Sequence, residues 1–126
     1  MLARLFSTKQ SGDSAERLAE KYLIRHGLKL VARNYRCRHG EIDLIMQDGD
    51  TLVFIEVRLR KSTKSGAHDY GGAAASISTT KQARINAAAQ HYLMGQNRPP
   101  PCRFDALLLN QLSETGIEWI RDAFSS

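Results

Sequence analysis

The chain is poor in the residues that mark several large protein classes. Its two cysteines, Cys37 and Cys102, stand far apart with no C-x-x-C pair, which excludes a zinc site built from thiolates. They read as reduced cytosolic thiols, and Cys102, within an apolar run, as a small core residue. The three prolines are all at Pro99–Pro101, a stiff connector. Uninterrupted apolar runs go no further than Leu52–Ile55 and Ala106–Leu109, against the ~20 residues a bilayer-crossing helix needs. No membrane is therefore expected. Met1 to Gln10 holds no apolar signal core, so the expected location is cytoplasmic. G-x-G-x-x-G, Walker-A and G-x-S-x-G patterns are absent, which argues against nucleotide cofactors and acyl transfer.

What is present is the makeup of one soluble globule. The 126 residues are 42% hydrophobic and 25% charged, enough for a single core and too few for a second domain. Eighteen Lys and Arg against 13 Asp and Glu leave a net charge of +5, which favours polyanionic partners, nucleic acid before anionic lipid.

Residues 1–12, small and polar, read as a flexible N-terminal arm ahead of a single domain over 13–126. Asp13 offers an N-cap with Glu16 three positions later, and Ala15, Leu18, Ala19, Tyr22 and Leu23 form a helical stripe that Gly27 stops. Strands are expected from Leu28 to about Arg36, over Glu41–Gln47 and over Thr51–Arg60, the last two joined through Asp48-Gly49-Asp50. Lys61–Ser76 lacks periodicity and reads as a mobile loop. Ser78 or Thr79 caps a second helix with Ile85, Ala88, Ala89, Tyr92 and Leu93 inward, running to about Met94. Strands follow at Cys102–Leu109 and Ile117–Ile120. The order α-β-β-β-α-β, with one added strand, is an α/β sandwich with a mixed sheet.

The informative residues are charges where the pattern asks for apolar side chains. Period two puts Glu41, Asp43 and Ile45 on one face, and Phe54, Glu56 and Arg58 on one face. If Gly49-Asp50 is the hairpin loop, Asp43 lies opposite Glu56; if Asp48-Gly49 is, the two are diagonal. Either register sets the carboxylates ~5–8 Å apart. Like charges this close on apolar strands need a cation. The commoner answer is an ordinary ion pair with Arg58; the other is a hard divalent ion such as Mg²⁺. Lys81 and Gln82 extend the second helix's inward stripe backward, either as polar cleft wall or as end caps. Arg58, Arg60, Lys61 and Lys64 run from strand end into loop as a phosphate-gripping rim or a solvated face. Less is expected of His39 on its turn, of His26, His68 and His91 without ligand spacing, and of Tyr70 in the loop. Asp105 interrupts a buried strand, either to help shape the site or as the partner of a cation such as Arg103 or Lys81.

Gly40-Glu41-Ile42-Asp43-Leu44-Ile45, Phe54-Ile55-Glu56-Val57-Arg58 and Lys81-Gln82-Ala83-Arg84-Ile85 together resemble the YraN-like family of small bacterial proteins, within the restriction-endonuclease-like PD-(D/E)XK nuclease superfamily. The match runs from Ala15-Glu16 to Trp119-Ile120-Arg121-Asp122. The resemblance implies an αβββαβ core and metal-dependent hydrolysis of phosphodiester bonds, in DNA more than RNA, on branched or damaged structures. It implies that Asp43 and Glu56, with the Val57 carbonyl, ligate Mg²⁺ or Mn²⁺. Glu16 would match an acidic residue on the first helix of junction-resolving relatives, and Gln82 with Lys81 polar residues of the helix beside the site. Arg60, Lys61, Lys64 and Lys81 would grip nucleic acid. Many junction-cutting relatives act as dimers, which makes a homodimer the oligomer to look for. One departure stands out: the superfamily lysine is Arg58 here, and arginine stays charged. It can orient water or clamp a phosphate, or mark a module that binds nucleic acid without cutting it.

Overall fold

A computed structural model describes residues 2–59, 77–110, 113 and 115–125, with side chains of the first helix described from Ser14 onward. The elements are α1 (Leu2–Arg25), β1 (Lys29–Cys37), β2 (Gly40–Asp48), β3 (Thr51–Leu59), α2 (Thr79–Leu93), β4 (Cys102–Leu109) and β5 (Ile117–Phe124). The five strands form one sheet in chain order. β1, β2 and β3 are an antiparallel meander, β4 is parallel to β3 with α2 in the crossover, and β5 returns antiparallel to β4. This is the mixed α/β architecture expected from the sequence, consistent with a restriction-endonuclease-like core.

The sheet buries both faces. Ala15, Ala19 and Leu23 of α1 pack with Leu44, Met46, Val53, Ile55, Leu107 and Leu109 on one side. Ile85, Ala88 and Ala89 of α2 pack with Ile45, Leu52, Phe54 and Phe104 on the other. That explains why Leu52–Ile55 is unbroken apolar sequence: alternate side chains enter opposite cores, as in strands covered on both faces. Small residues on both helices let them lie close to the sheet. Ser78 caps α2 by accepting from the Lys81 N–H at 3.1 Å.

Three expectations are corrected. The first helix begins at Leu2 and not at Asp13, which is an interior residue instead of its N-cap. Ser, Asp and Gly near position 12 are local preferences only: a glycine costs about 1 kcal/mol inside a helix and does not forbid it. Cys102 is exposed at the start of β4, its thiol donating to the Pro100 carbonyl at 3.2 Å, because the apolar interior of this strand begins at Phe104. β5 runs four residues past Ile120, through a bulge at Asp122 (φ 55°) that breaks the alternation a strand is recognised by. The expected loop at Lys61–Ser76 lies outside the described residues.

The hairpin between β2 and β3 pairs Asp48 with Thr51, leaving Gly49 (φ 59°) and Asp50 as its loop, the first of the two registers considered above. At the other end of β2, Gly40 is buried against α2, and a Cβ there would overlap the main-chain carbonyl of Arg84. Backbone cannot swing aside as a flexible side chain can. Gly40→Ala is therefore expected to lower stability by about 1–3 kcal/mol or more, whereas Gly95→Ala, with open space around it, should change little. Urea denaturation of the two variants checks this contrast.

Candidate active site

The β2–β3 ladder stops early. Its pairs run from Asp48↔Thr51 to Leu44↔Ile55, after which β2 stays with β1 as far as Cys37↔Gly40 and β3 stays with β4 as far as Leu59↔Leu109. The next pair would have been Asp43 with Glu56. Where the strands part, the Val57 N–H has a side-chain acceptor: it donates to Asp43 Oδ2 at 2.9 Å. An extended residue aims its N–H and C=O to the same side, so the Val57 carbonyl faces β2 as well. Two carboxyls and one main-chain oxygen thus collect at the mouth of the gap.

The Asp43 and Glu56 carboxyls hydrogen-bond to each other. Glu56 is 5% exposed. Burial, then the charge of Asp43, pushes its pKa up to about 8, with Lys81 pulling the other way. Asp43 is also raised, chiefly by burial, against the stabilising Val57 N–H. Adjacent buried carboxyls of this kind hold one proton between them, since both cannot be anions in low dielectric without a cation. The cation paired with Glu56 is Lys81, its Nζ 3.5 Å from Oε2, and not Arg58. Arg58 is half-buried two residues beyond on β3. That excludes the ordinary Glu56–Arg58 ion pair as the explanation for the charges.

A family model described as "Uncharacterised protein family UPF0102" matches residues 15–109, which takes in every element of this gap. The chain belongs to that family. It is 53% identical to the UPF0102 protein of Methylobacillus flagellatus over 118 residues, covering 94% of this chain and 99% of the relative. The UPF0102 protein of Nitrosospira multiformis is 53% identical over 113 residues, covering 90% and 91%. The UPF0102 protein of Cupriavidus metallidurans is 52% identical over 119 residues, covering 94% and 83%.

The other expected site residues of this UPF0102 chain divide. Lys81 joins the pair. Gln82 turns away, its Nε2 donating to the Ile77 carbonyl at 2.9 Å, and so ties down the residues ahead of α2. Glu16 lines a cavity of 570 Å³ with Arg17, Glu20 and Arg33 on the α1 side of the sheet. Among the described residues no third carboxylate, histidine or cysteine completes a metal cluster with the pair. Arg60, Lys61, Lys64, His68 and Tyr70 lie outside the described residues. His91 sits at the far end of α2, hydrogen-bonded to Tyr35. Spacing put Lys81 on the inward stripe of α2, but its pairing with Glu56 in particular depends on how α2 docks.

Asp105 provides the contrast. Fully buried, it accepts from Arg103 Nε at 3.1 and 3.2 Å, from Trp119 Nε1 at 2.9 Å and from the Asp122 N–H at 2.9 Å, inside the β5 bulge. It is a satisfied structural anion on the opposite face of the sheet, with Arg103 also reaching Asp48 at 2.9 Å. Asp105→Ala should cost roughly 3–5 kcal/mol, because it breaks the ion pair with Arg103 and leaves the Trp119 Nε1–H and the Asp122 N–H without their acceptor.

Glu56→Gln should do the reverse. Because the folded pKa of Glu56 exceeds its ordinary value of 4.5, the folded chain holds a proton that the unfolded chain releases between about pH 4.5 and 8. Stability without metal therefore falls as pH rises through that window. Glu56→Gln should flatten the dependence and be more stable at pH 8, by on the order of 2 kcal/mol. Thermal denaturation in EDTA at pH 5, 6.5 and 8 checks both substitutions. A lower Tm for Glu56→Gln at pH 8 would mean that the Lys81 pair outweighs the carboxyl repulsion.

Proposed function

We propose that this chain is a metal-dependent nuclease that hydrolyses phosphodiester bonds in DNA, with branched or damaged DNA as the substrate. The observation that carries the reading is the Asp43–Glu56 pair at the parting of β2 and β3, with Glu56 buried and Asp43 half-buried. Such a pair is costly as two anions, and it is made of the hard oxygen donors that Mg²⁺ and Mn²⁺ favour. The residues fit such an ion: Asp43 and Glu56 would hold it, and the Val57 carbonyl lies on the same side. A bound dication would polarise the scissile phosphate, lower the pKa of the attacking water and offset the developing charge.

The chain's own residues do the rest. The Val57 N–H keeps Asp43 oriented towards the gap and favours its charged form against burial. Lys81 is near enough to Glu56 to hold or pass a proton at the site, and supplies the ammonium that β3 lacks. Arg58, one turn of the pleat beyond Glu56, has the planar fork that grips a phosphate through two oxygens. Arg60, Lys61 and Lys64 continue the positive charge in sequence. Among the described residues no helix is long and apolar enough to cross a membrane. We place the activity in the cytoplasm, where the DNA is, and read a homodimer as the form that would offer two sites to a two-fold junction.

The test is incubation of the full chain with labelled four-way junction, duplex and single-stranded DNA, with Mg²⁺, Mn²⁺ or EDTA, read on denaturing gels. Cleavage should require the metal and fall by about 10²-fold or more in Asp43→Asn and in Lys81→Gln, while Arg58→Lys keeps or raises the rate. Metal-dependent DNA binding with no cleavage of any substrate would favour the non-catalytic nucleic-acid-binding module. Equal cleavage by Asp43→Asn would contradict the assignment of the site.

A further inference from the structure

At the sheet end that carries the carboxyl pair, a second cavity of 310 Å³ is lined by Arg36, Cys37, Gly40, Glu41 and Arg84. Three elements build it. β1 and β2 are joined by the exposed Arg38-His39 turn, with Arg36 paired to Glu41 and Cys37 to Gly40. The missing side chain at Gly40 lets the main chain of α2 press directly on this hairpin. Arg84, one helical turn past Lys81, is thereby brought beside Arg36.

From this arrangement we infer a phosphate subsite between the β1–β2 hairpin and α2, in which Arg36 and Arg84 hold the nucleic-acid backbone next to the position that is cut. It rests on the nuclease reading above and names residues which that reading did not use.

Position supports it. Glu41 and Asp43 are two residues apart on one strand face, roughly 6.6 Å, and Glu41 is close enough for its charge to act on Asp43. A nucleic-acid strand carries one phosphate per ~3.4 Å of rise. The subsite therefore fits a phosphate one or two nucleotides from the scissile one.

Charge supports it as well. Arg84 is exposed and, among the described residues, its side chain makes no ion pair. Arg36 pairs with Glu41 at 3.3 Å, but both side chains are largely in water, at 74% and 42% exposure. Such a surface pair is weak. Both partners line the cavity, and the guanidinium can exchange carboxylate for phosphate, to which an arginine fork binds through two oxygens. Arg38 at the hairpin tip continues the positive surface outward. Lys81 continues it inward to Glu56. The cavity is thus the outer end of a cationic path leading to the pair.

The test is DNA binding by fluorescence anisotropy across a salt series, on full-length wild type, Arg36→Gln/Arg84→Gln and the charge-matched Lys29→Gln/Arg98→Gln. Lys29 and Arg98 are exposed at the opposite end of the sheet. A labelled 20-base-pair duplex is the probe, with Ca²⁺ in place of Mg²⁺ to prevent cutting. The subsite variant should bind roughly ten-fold more weakly at low salt, and its log-log salt slope should fall by about 1–2, at ~0.9 for each phosphate that is no longer neutralised. The control should stay near wild type. Mn²⁺ binding at Asp43 and Glu56, followed by calorimetry without DNA, should be the same in all three proteins.

Equal losses in both double variants would show a net-charge effect and overturn the subsite. So would an unchanged slope in Arg36→Gln/Arg84→Gln, or wild type that fails to bind DNA. Intact Mn²⁺ binding in those cases would leave the metal site standing, so the two readings fail separately.

Discussion

Two carboxyls whose joint ionisation calls for a cation, Asp43 and Glu56, sit where two antiparallel strands stop pairing, and much of the surrounding structure answers to them. β2 and β3 share a ladder from the hairpin to Leu44↔Ile55 and then go to different partners. The gap costs main-chain hydrogen bonds, and Asp43 repairs one of them by accepting from the Val57 N–H. Glu56 is packed in the interior with burial and a neighbouring anion both opposing its ionisation. Nothing in packing requires a glutamate in that place. A residue held at such expense points to a role in binding or chemistry.

The same gap explains the seating of α2. This helix lies on the face that carries Phe54 and Glu56, with Ile85 and Ala88 in the apolar layer and Lys81 at its polar start. Gly40 lets the helix backbone meet the start of β2 directly. Helix and hairpin thus meet by close main-chain packing, which sets the position from which the Lys81 side chain reaches Glu56. The two buried acids of the sheet show how differently an anion can be treated. Asp105 is surrounded by donors and belongs to the scaffold, whereas Glu56 has one ammonium and a competing carboxyl.

Much of this was legible in the sequence, for physical reasons. Strand alternation and the Asp48-Gly49-Asp50 turn put Asp43 and Glu56 on one face in either two-residue register, because parity in a hairpin follows from its loop, and the structure selects the register. The stripes of α1 and α2 were visible because each buries one face. What was missed depends on tertiary context. Leu2–Gly12 lacks any amphipathic signal that distinguishes helix from arm, and β5 hides behind the bulge at Asp122. The cation at Glu56 is the nearest one in space, Lys81, while the nearest one in sequence, Arg58, is elsewhere. Arg36 and Arg84 carried no signal because only the approach of α2 to Gly40 brings them together.

The central claim, that Asp43 and Glu56 form a divalent-ion site, is tested most directly by paramagnetic NMR during a Mn²⁺ titration of wild type and Asp43→Asn. Selective broadening of amides in Gly40–Leu44, Glu56–Arg58 and the start of α2, absent in the variant, is the predicted result. Uniform broadening, or none at these positions with the fold intact, would contradict the account and leave the pair as a protonated structural feature held by Lys81.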